Sequence, residues 1–368
     1  MREDSLSFRQ YAAAIGVSLF SPVSRLLPEA VLKRAGFSGW LSPLPALPLL
    51  LGLVWCMQRL LSPEGETLGL GQALERRLGT FGGKGASALL SLWTVAYGGL
   101  ILRSGAERIL STLYPMGSLP FFMGAMLVLG LVFACNPLRW AGRCAMVTAL
   151  FFAGILGLVF LMALPGVHLA ALWPPDLSRS GDIALGALPV ADVLSRWVCF
   201  AFLRGRVSEA EGARRRAFRG MLALTALTVL FQLTTVGSLG PELALRQQFP
   251  FYVMIKNLRL FGGAERFDAL ALVLWVLTDF VCVGMLLASA SEGLRGVFGS
   301  ERRERWVLPC AGGMLLGGLF LFRDAFGLLS VSQYVFPAIN LGLSFGFVPL
   351  LAVLRTGKKN LKKEKNRC

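Results

Sequence analysis

The first apolar stretch of the sequence contains SPVSRLLP at residues 21–28, with two prolines, two serines and an arginine. A proline removes a backbone donor and clashes with the preceding turn, so it favours a break in a helix. A broken helix would present bare N–H and C=O groups that can bind a small zwitterion. The guanidinium of Arg25 would favour an anionic group on that solute. The candidate ligand-binding residues of this segment are Ser21, Pro22, Val23, Ser24 and Arg25.

A second apolar segment has the same character. It reads DIALGALPVADVLSRWVCFAFL from residue 182 and holds Pro189, Asp192 and Arg196. A charge at the middle of a bilayer costs at least about 2.5 kcal/mol, so such residues are candidates for function. We add these three residues to the candidate ligand site. The alternative for the first segment is that it ends at Pro22, with Arg25 reaching the outer membrane surface.

Two further segments carry ionisable residues among apolar ones. Arg103 and Glu107 are four residues apart, so they share a helix face and can form an ion pair. Asp279 stands in LVLWVLTDFVCVG without a charged neighbour in its own segment, with Arg25 or Arg196 as candidate partners. A structural ion pair and a ligand-binding role remain open for Arg103, Glu107 and Asp279, and all three belong to the predicted site.

Other polar and small residues in apolar segments are typical of helix packing. We expect interhelical hydrogen bonds from Gln232, Thr234, Thr235 and Asn340. In GGMLLGG, at residues 312–318, Gly313 and Gly317 are four apart and predict a close helix contact.

The composition identifies the class of protein that positions these residues. Of the 368 residues, 55% are hydrophobic and 16% are charged, against about 25% charged residues in a soluble domain. Runs without Asp, Glu, Lys or Arg occur at 35–58, 109–138, 144–175, 220–241 and 325–354. Each exceeds the roughly 20 residues that cross a bilayer as a helix. The sequence therefore predicts an all-α polytopic membrane protein.

We predict ten transmembrane helices and no soluble domain. The segments lie at about 9–34, 39–61, 85–111, 118–137, 143–165, 182–204, 217–238, 265–291, 306–323 and 329–354. The interrupted segments are the first and the sixth, which are equivalent positions in two five-helix halves. Such paired interruptions indicate a five-plus-five inverted repeat of the transporter kind, with helices 1 and 6 interrupted. The single transmembrane domain would span 1–355, with one repeat at about 9–165 and the other at about 182–354.

The basic residues predict the orientation of these helices. With the N-terminus inside, 25 Lys and Arg residues lie on the cytoplasmic side and nine on the outer side. Cytoplasmic loops carry the excess of basic residues, so both termini are predicted to be cytoplasmic. The same rule explains the net charge of +16 without nucleic-acid binding. The tail at 356–368 is polybasic and is expected to lie on the anionic inner leaflet.

Several stretches, in the same order along the chain, resemble the spore germination permeases. These are SPVSRLLP at 21–28, RSGAERILSTLYP at 103–115, VGSLGPELALRQQFPFYVMIKNLRL at 236–260 and GGAERFDALALVLWVLTDFV at 262–281. The last is similar to the family's ERFE…W…F signature. Members of this family are the B-type membrane subunits of nutrient germinant receptors, within the amino acid–polyamine–organocation superfamily. One departure is that Ser21–Arg25 replaces the glycine-rich run of the family, which points to a different ligand.

The resemblance implies a receptor subunit that senses a small nutrient, often an amino acid, in dormant spores. It implies an A-type membrane subunit and a C-type lipoprotein as partners, in the spore inner membrane. An alternative is a secondary amino acid transporter coupled to protons through Glu107 or Asp279, and a third is a purely structural subunit. The sequence has no Gly-Lys-Ser/Thr phosphate loop, His-Glu-x-x-His or Gly-x-Ser-x-Gly motif, so an enzyme is not expected. With one histidine and no Cys-x-x-Cys pair, it predicts no metal or cofactor either.

Overall fold

The computed structural model describes residues 5–63, 66–112, 114–168, 172, 176–208, 212–247, 249–258, 268–321 and 325–354. Almost all of these residues are helical, and the extended pairing among them is an isolated parallel bridge between Leu6 and Val207. The predicted basic tail at 356–368 and the ERF residues at 265–267 lie outside the described residues.

The helices follow one another with short connections. The α-helices are α1 (Phe8–Ala35), α2 (Pro43–Leu61), α3 (Leu70–Thr112), α4 (Leu119–Cys135), α5 (Leu138–Ala163), α6 (Ser180–Ser195), α7 (Ala213–Leu239), α8 (Pro241–Arg246), α9 (Pro250–Lys256), α10 (Asp268–Phe298), α11 (Val307–Leu316), α12 (Ala325–Ser330), α13 (Phe336–Leu341) and α14 (Val348–Val353). Stretches of 3-10 helix follow α1 (Gly36–Leu41) and α6 (Arg196–Arg206). Stretches of π-helix follow α11 (Gly317–Leu321), α12 (Val331–Val335) and α13 (Gly342–Phe347).

Eight helical segments of the described chain are long and apolar enough to cross a membrane. The last of them, Gly327–Val353, combines α12 to α14 with the π stretches between them. Two of the ten predicted segments are shorter, namely the 17-residue helix α4 and the helical stretch from α11 to Leu321. The all-α polytopic membrane fold is thus confirmed, whereas the count of ten crossings stays a prediction.

The predicted interruption of the first segment is wrong, because α1 is one α-helix from Phe8 to Ala35 that contains both Pro22 and Pro28. Each proline removes only one helical hydrogen bond. Packing of α1 against α5, α6 and α10 holds the remaining turns in place. Neighbouring helices commonly make proline tolerable within a membrane-spanning helix in this way.

The sixth segment is not unwound either. Helix α6 continues through Gly186 and Pro189 to Ser195, and the chain then tightens into 3-10 helix from Arg196 to Arg206. Runs of 3-10 helix longer than three or four residues are uncommon, and within a helix they often mark a hinge. The predicted break at Pro189 is therefore absent, and the segment instead changes from α-helix to 3-10 helix at Arg196.

The helices that pack together are those that a five-plus-five arrangement pairs. The first and sixth segments, α1 and α6, are in contact, and the third and eighth segments, α3 and α10, form another long contact. Helix α1 also packs on α10, so α10 is in contact with both α1 and α3. The candidate site lies at this meeting point.

Helix α3 approaches α11 and the π stretch that follows it through glycines. A Cβ atom built on Gly99 would lie 2.9 Å from the carbonyl oxygen of Met314 and 3.1 Å from the nitrogen of Gly318. Gly313 is also close to its neighbour, 3.0 Å from Val95, whereas Gly317 has open space around it. The predicted close contact is confirmed at Gly313, but Gly318 takes the role expected of Gly317.

Gly99→Ala is expected to lower the free energy of unfolding by about 1–3 kcal/mol, because the new methyl group overlaps backbone atoms that cannot rotate away. Thermal unfolding of the detergent-solubilised protein measures the effect. Gly154→Ala in α5 is the matched control, since a Cβ there has nothing within 4 Å. An equal effect of the two substitutions would contradict the close contact.

Candidate functional site

A buried ion pair links α3 to α10. Arg108 and Asp279 form this pair, and their side chains are 4% and 2% exposed. Arg108 Nη1 also donates a hydrogen bond of 3.1 Å to Ser21 Oγ on α1. The sequence predicted Arg25 or Arg196 as the partner of Asp279, and this prediction is wrong. Arg108 was missed because it lies close to the outer end of its segment, where basic residues usually face water.

Trp275 and Ser24 complete a cluster around this pair. Trp275 Nε1 donates a 2.8 Å hydrogen bond to Ser24 Oγ, and Ser24 Oγ donates to the carbonyl oxygen of Ser21 at 3.2 Å. The guanidinium carbon of Arg108 lies 5.0 Å from the centre of the Trp275 ring. The central polar cluster, as we call it, comprises Ser21, Ser24, Arg108, Trp275 and Asp279.

Arg25 lies one residue beyond Ser24 and is only 8% exposed. Among the described residues its guanidinium has no hydrogen bond or ion pair, and its Nε atom is fully buried. The charges of Arg108, Asp279 and Arg196 act on it. Asp279 Oδ1 is likewise buried without a hydrogen-bond partner in the described chain. The site thus contains both a cationic donor and an anionic acceptor that are unused.

The other predicted ionisable residues are paired within their own helices. Asp192 and Arg196 on the sixth segment form a fully buried pair at 2.6 Å. Arg103 and Glu107 on α3 form a pair at 2.9 Å, with Glu107 30% exposed, as their spacing predicted. The predicted site holds six ionisable residues, and Arg108 makes seven. Arg25 is the one of these seven with no ion-pair partner in the described part of the chain.

Asn340 on α13 holds the Asp192 pair in place. Its Nδ2 atom donates to the backbone oxygen of Asp192 at 3.0 Å and to Asp192 Oδ1 at 2.9 Å. The guanidinium carbon of Arg196 lies 5.4 Å from the Tyr97 ring centre and 5.3 Å from that of Phe336. The pair is thus held by a neighbouring helix and flanked by aromatic rings, as in a structural ion pair. The Nε and Nη1 atoms of Arg196 are buried and have no hydrogen-bond partner among the described residues.

The predicted interhelical hydrogen bond is confirmed for Asn340 but not for the three residues of α7. Thr234 Oγ1 donates to carbonyl oxygens of its own helix. Gln232 Oε1 and Thr235 Oγ1 are buried and have no hydrogen-bond partner among the described residues.

Two candidates from the proline arguments are part of the packing. Val23 belongs to a hydrophobic cluster formed by α1, α2 and α6. Pro22 is buried within α1, and Pro189 is half-buried on α6, three residues before Asp192. Because both helices continue through their prolines, these residues present no unwound backbone to a ligand.

The central polar cluster has almost no free space beside it. A cavity of about 10 Å³ lies between Gly105, Met126, Trp275 and Asp279, and this is at the lower limit for one water molecule. A Cβ on Gly105 would lie 2.6 Å from Met126 Cε and 3.1 Å from Asp279 Oδ2. A solute can therefore enter only if the surrounding helices move apart.

Helix α9 covers the cluster on the side predicted to face outward. The Tyr252 ring stacks on Trp275 with 6.0 Å between ring centres, and Phe249 contacts the same ring edge-on. Phe251 packs against Phe20 of α1 with 6.0 Å between ring centres. These aromatic contacts separate the central polar cluster from the outer end of the molecule.

The opposite end is closed by polar contacts. The backbone nitrogen of Leu6 donates to Arg206 at 2.9 Å, and that of Ser208 donates to Leu6 at 2.8 Å. Arg206 Nε lies 3.2 Å from Glu292 Oε1 on α10. The central polar cluster is thus closed off from both ends of the molecule.

The family of this chain is identified by its match to a protein-family model. A family model described as Spore_permease, spore germination protein, matches residues 6–319. The chain belongs to the spore germination protein family. The resemblance noted in the sequence is thereby confirmed. A comparison with curated proteins finds no match.

Several solved structures share this fold, and the titles of two of them name a transporter and a symporter. MhsT in complex with L-phenylalanine is 12% identical and aligns over 98% of this chain and 95% of its own, with a TM-score of 0.64. MHP1, a nucleobase-cation-symport-1 family transporter in a closed conformation with bromovinylhydantoin bound, is 16% identical over 94% and 78%, with a TM-score of 0.62. A Na+-coupled sialic acid symporter in a substrate-bound outward-open state is 11% identical over 95% and 90%, also at 0.62.

These matches show a multi-pass integral membrane protein of the spore germination family with a transporter fold. At such low identities the structural likeness speaks for the fold alone. The function must therefore be argued from the residues of the site.

Proposed function

We propose that this spore germination protein is the membrane subunit of a nutrient germinant receptor. It binds a small amino-acid-like nutrient between α1, α3, α6 and α10, and this binding triggers germination. The observation that carries the proposal is a pair of buried, unused groups, namely the unpaired guanidinium of Arg25 and the Oδ1 atom of Asp279, whose charges act on each other.

The two unused groups match the two charges of an amino acid. A carboxylate accepts strong, charge-assisted hydrogen bonds from a guanidinium such as that of Arg25. An ammonium group donates to a carboxylate oxygen such as Asp279 Oδ1. A buried polar group without a partner costs about 1–3 kcal/mol, and more when it is charged. A zwitterion that pairs with both groups recovers these costs and so binds with a favourable free energy.

Closure of the site supports a sensing mechanism that requires helix movement. The nutrient would enter when α9 moves from Trp275, and it would then hold α1, α3 and α10 in a new arrangement. A ligand shifts a conformational equilibrium only by its difference in affinity for the two states. Pairing with Arg25, which is unpaired in the closed state, provides such a difference.

Membership of the family supports a proposal for the assembly and its location. We propose an A-type membrane subunit and a C-type lipoprotein as partners, in the spore inner membrane. Both termini would face the cytoplasm, with the basic tail at 356–368 on the inner leaflet.

A proton-coupled amino acid transporter is the second candidate function. The transporter fold supports it, together with the burial of Asp279 and the partial exposure of Glu107, which is 30% exposed beside Arg103. A carboxylate that alternates between an ion pair and a proton is the usual basis of such coupling.

Ligand analogues test the charge pairing. The full-length protein in detergent is screened against the standard amino acids by the shift of its melting temperature. We expect at least one amino acid to raise it. The amide of that amino acid and its deaminated acid should each bind about tenfold or more weakly, because each loses one charged contact. Equal binding by either analogue would contradict the proposed pairing.

Uptake separates the two candidate functions. Proteoliposomes containing the full-length protein are incubated with the radiolabelled amino acid found in the screen, with and without a proton gradient. Binding without accumulation is expected of a receptor subunit. Robust accumulation driven by the gradient would identify a transporter and reject the receptor proposal. If no amino acid binds, both lose their basis.

A further inference from the structure

A cavity of about 800 Å³ is lined by none of the residues of the central polar cluster. It opens between α1, α2, α7 and the 3-10 stretch Arg196–Arg206, at the end of the molecule that is predicted to be cytoplasmic. Its size is within the roughly 300–1,000 Å³ of typical ligand sites. Neither the proposed nutrient site nor its mechanism uses this cavity.

One part of the cavity wall is basic. Arg59, Arg204, Arg214 and Arg216 line it. The Nε and Nη2 atoms of Arg216 are buried and have no hydrogen-bond partner among the described residues. Its guanidinium carbon lies 5.3 Å from the centre of the Phe8 ring. Donors that are buried, charged and unused indicate the place of an anionic ligand.

The rest of the wall is apolar. Ile15, Trp55, Met221 and Leu224 line it beside the arginines. A free inorganic anion would use the basic wall and leave the apolar wall unfilled. A molecule with an anionic head and a hydrocarbon chain would fill both parts.

The sequence around the cavity keeps a surplus of positive charge. Residues 204–219 contain six arginines and two glutamates. The glutamates, Glu209 and Glu211, fall in the range 209–211 outside the described residues. Arg206 already pairs with Glu292. Even if both glutamates pair with two of the other five arginines, three positive charges remain in this stretch.

We propose that this cavity binds an anionic phospholipid of the cytoplasmic leaflet. Its phosphate lies on the arginines, chiefly Arg214 and Arg216, and an acyl chain lies against Trp55 and Leu224. Basic pockets between transmembrane helices on the cytoplasmic side are suited to anionic headgroups. The assignment to the inner leaflet rests on the predicted orientation, whereas the lipid class does not. The proposal is independent of the nutrient site.

The test measures binding of three probes to the delipidated full-length protein in detergent, by native mass spectrometry and by the shift of the melting temperature. The probes are phosphatidylglycerol, phosphatidylcholine and glycerol 3-phosphate. Phosphatidylglycerol should bind clearly more tightly than the other two. The double variant Arg214→Gln/Arg216→Gln should weaken its binding about 30-fold, since each arginine contributes to anionic lipid binding.

The matched control removes the same charge from the same helix. Arg215 and Arg219 are exposed and do not line the cavity, so Arg215→Gln/Arg219→Gln should keep most of the affinity. Gly220→Trp keeps every arginine but fills the cavity, because a Cβ at this lining position has nothing within 4 Å. It should also weaken phosphatidylglycerol binding about tenfold or more.

Four results would overturn the proposal. Equal binding of phosphatidylcholine would indicate a non-specific lipid surface, and equal binding of glycerol 3-phosphate would indicate a site for free phosphates. Equal weakening by the Arg215→Gln/Arg219→Gln control would indicate a general effect of charge. Unchanged binding in a folded Gly220→Trp variant would place the lipid outside this cavity.

Discussion

Asp279→Ala is expected to lower the free energy of unfolding by about 3–5 kcal/mol, because it leaves Arg108 as a buried charge without its partner. The two side chains are 4% and 2% exposed, so water cannot take the place of the lost carboxylate. Arg108 also donates to Ser21, and the loss should therefore loosen the contact between α1, α3 and α10. Reversible unfolding of the purified protein in mixed micelles measures the change.

The chain offers a matched control for this substitution. Asp182 also pairs with an arginine, Arg179, at 2.7 Å, but the two side chains are 39% and 47% exposed. Exposed pairs contribute about 0–1 kcal/mol, so Asp182→Ala should change stability little. The double variant Arg108→Met/Asp279→Leu should recover most of the lost stability, since an apolar pair of similar size can replace a buried ion pair. Equal effects of Asp279→Ala and Asp182→Ala would show that the central pair is hydrated.

Arg25→Gln is expected to abolish the response to nutrient without loss of stability. The substitution removes a buried cation that has no partner in the closed protein, so folding loses no ion pair. The nutrient, however, would lose its proposed carboxylate contact, and its affinity should fall about 10- to 100-fold. Melting-temperature shifts with the bound nutrient and germination of spores carrying the variant provide the two measurements.

Two further variants distinguish a ligand contact of Arg25 from a general effect of removing its charge. Arg34→Gln, near the exposed end of the same helix α1, should leave both affinity and germination unchanged. Arg25→Lys keeps the positive charge but lacks the parallel N–H donors that a guanidinium offers to a carboxylate. It should therefore retain part of the affinity. A stable Arg25→Gln protein with full nutrient affinity would exclude Arg25 from the ligand site. A strongly destabilised one would indicate that Arg25 has a structural role.

The fold class was predictable because it depends on properties that act over long stretches. Charge-free runs such as 144–175 can be accommodated only in a membrane, and this holds whatever the details of packing. The Arg103–Glu107 pair was predictable for a similar reason, since a spacing of four residues fixes a shared helix face. Neither inference depends on which residues from distant parts of the chain come into contact.

The continuity of α1 was not predictable because it depends on contacts with helices that are distant in sequence. Pro22 and Pro28 favour a break locally, but contacts with three other helices keep α1 continuous. The partner of Asp279 depends on how α3 and α10 align, and the spacing of residues within one segment does not report this. The position of α9 over the central polar cluster was likewise not predicted, because a helix of seven residues is too short to show a clear hydrophobic period in the sequence.

The bridge between Leu6 and Val207 has a mechanical consequence for any opening of the protein. It fastens the beginning of the first membrane rod to the far end of the sixth, which are otherwise about 200 positions apart along the chain. This pairing couples the two helical segments at one end. A tilt of one segment therefore tilts the other with it, so any opening motion moves the two segments together.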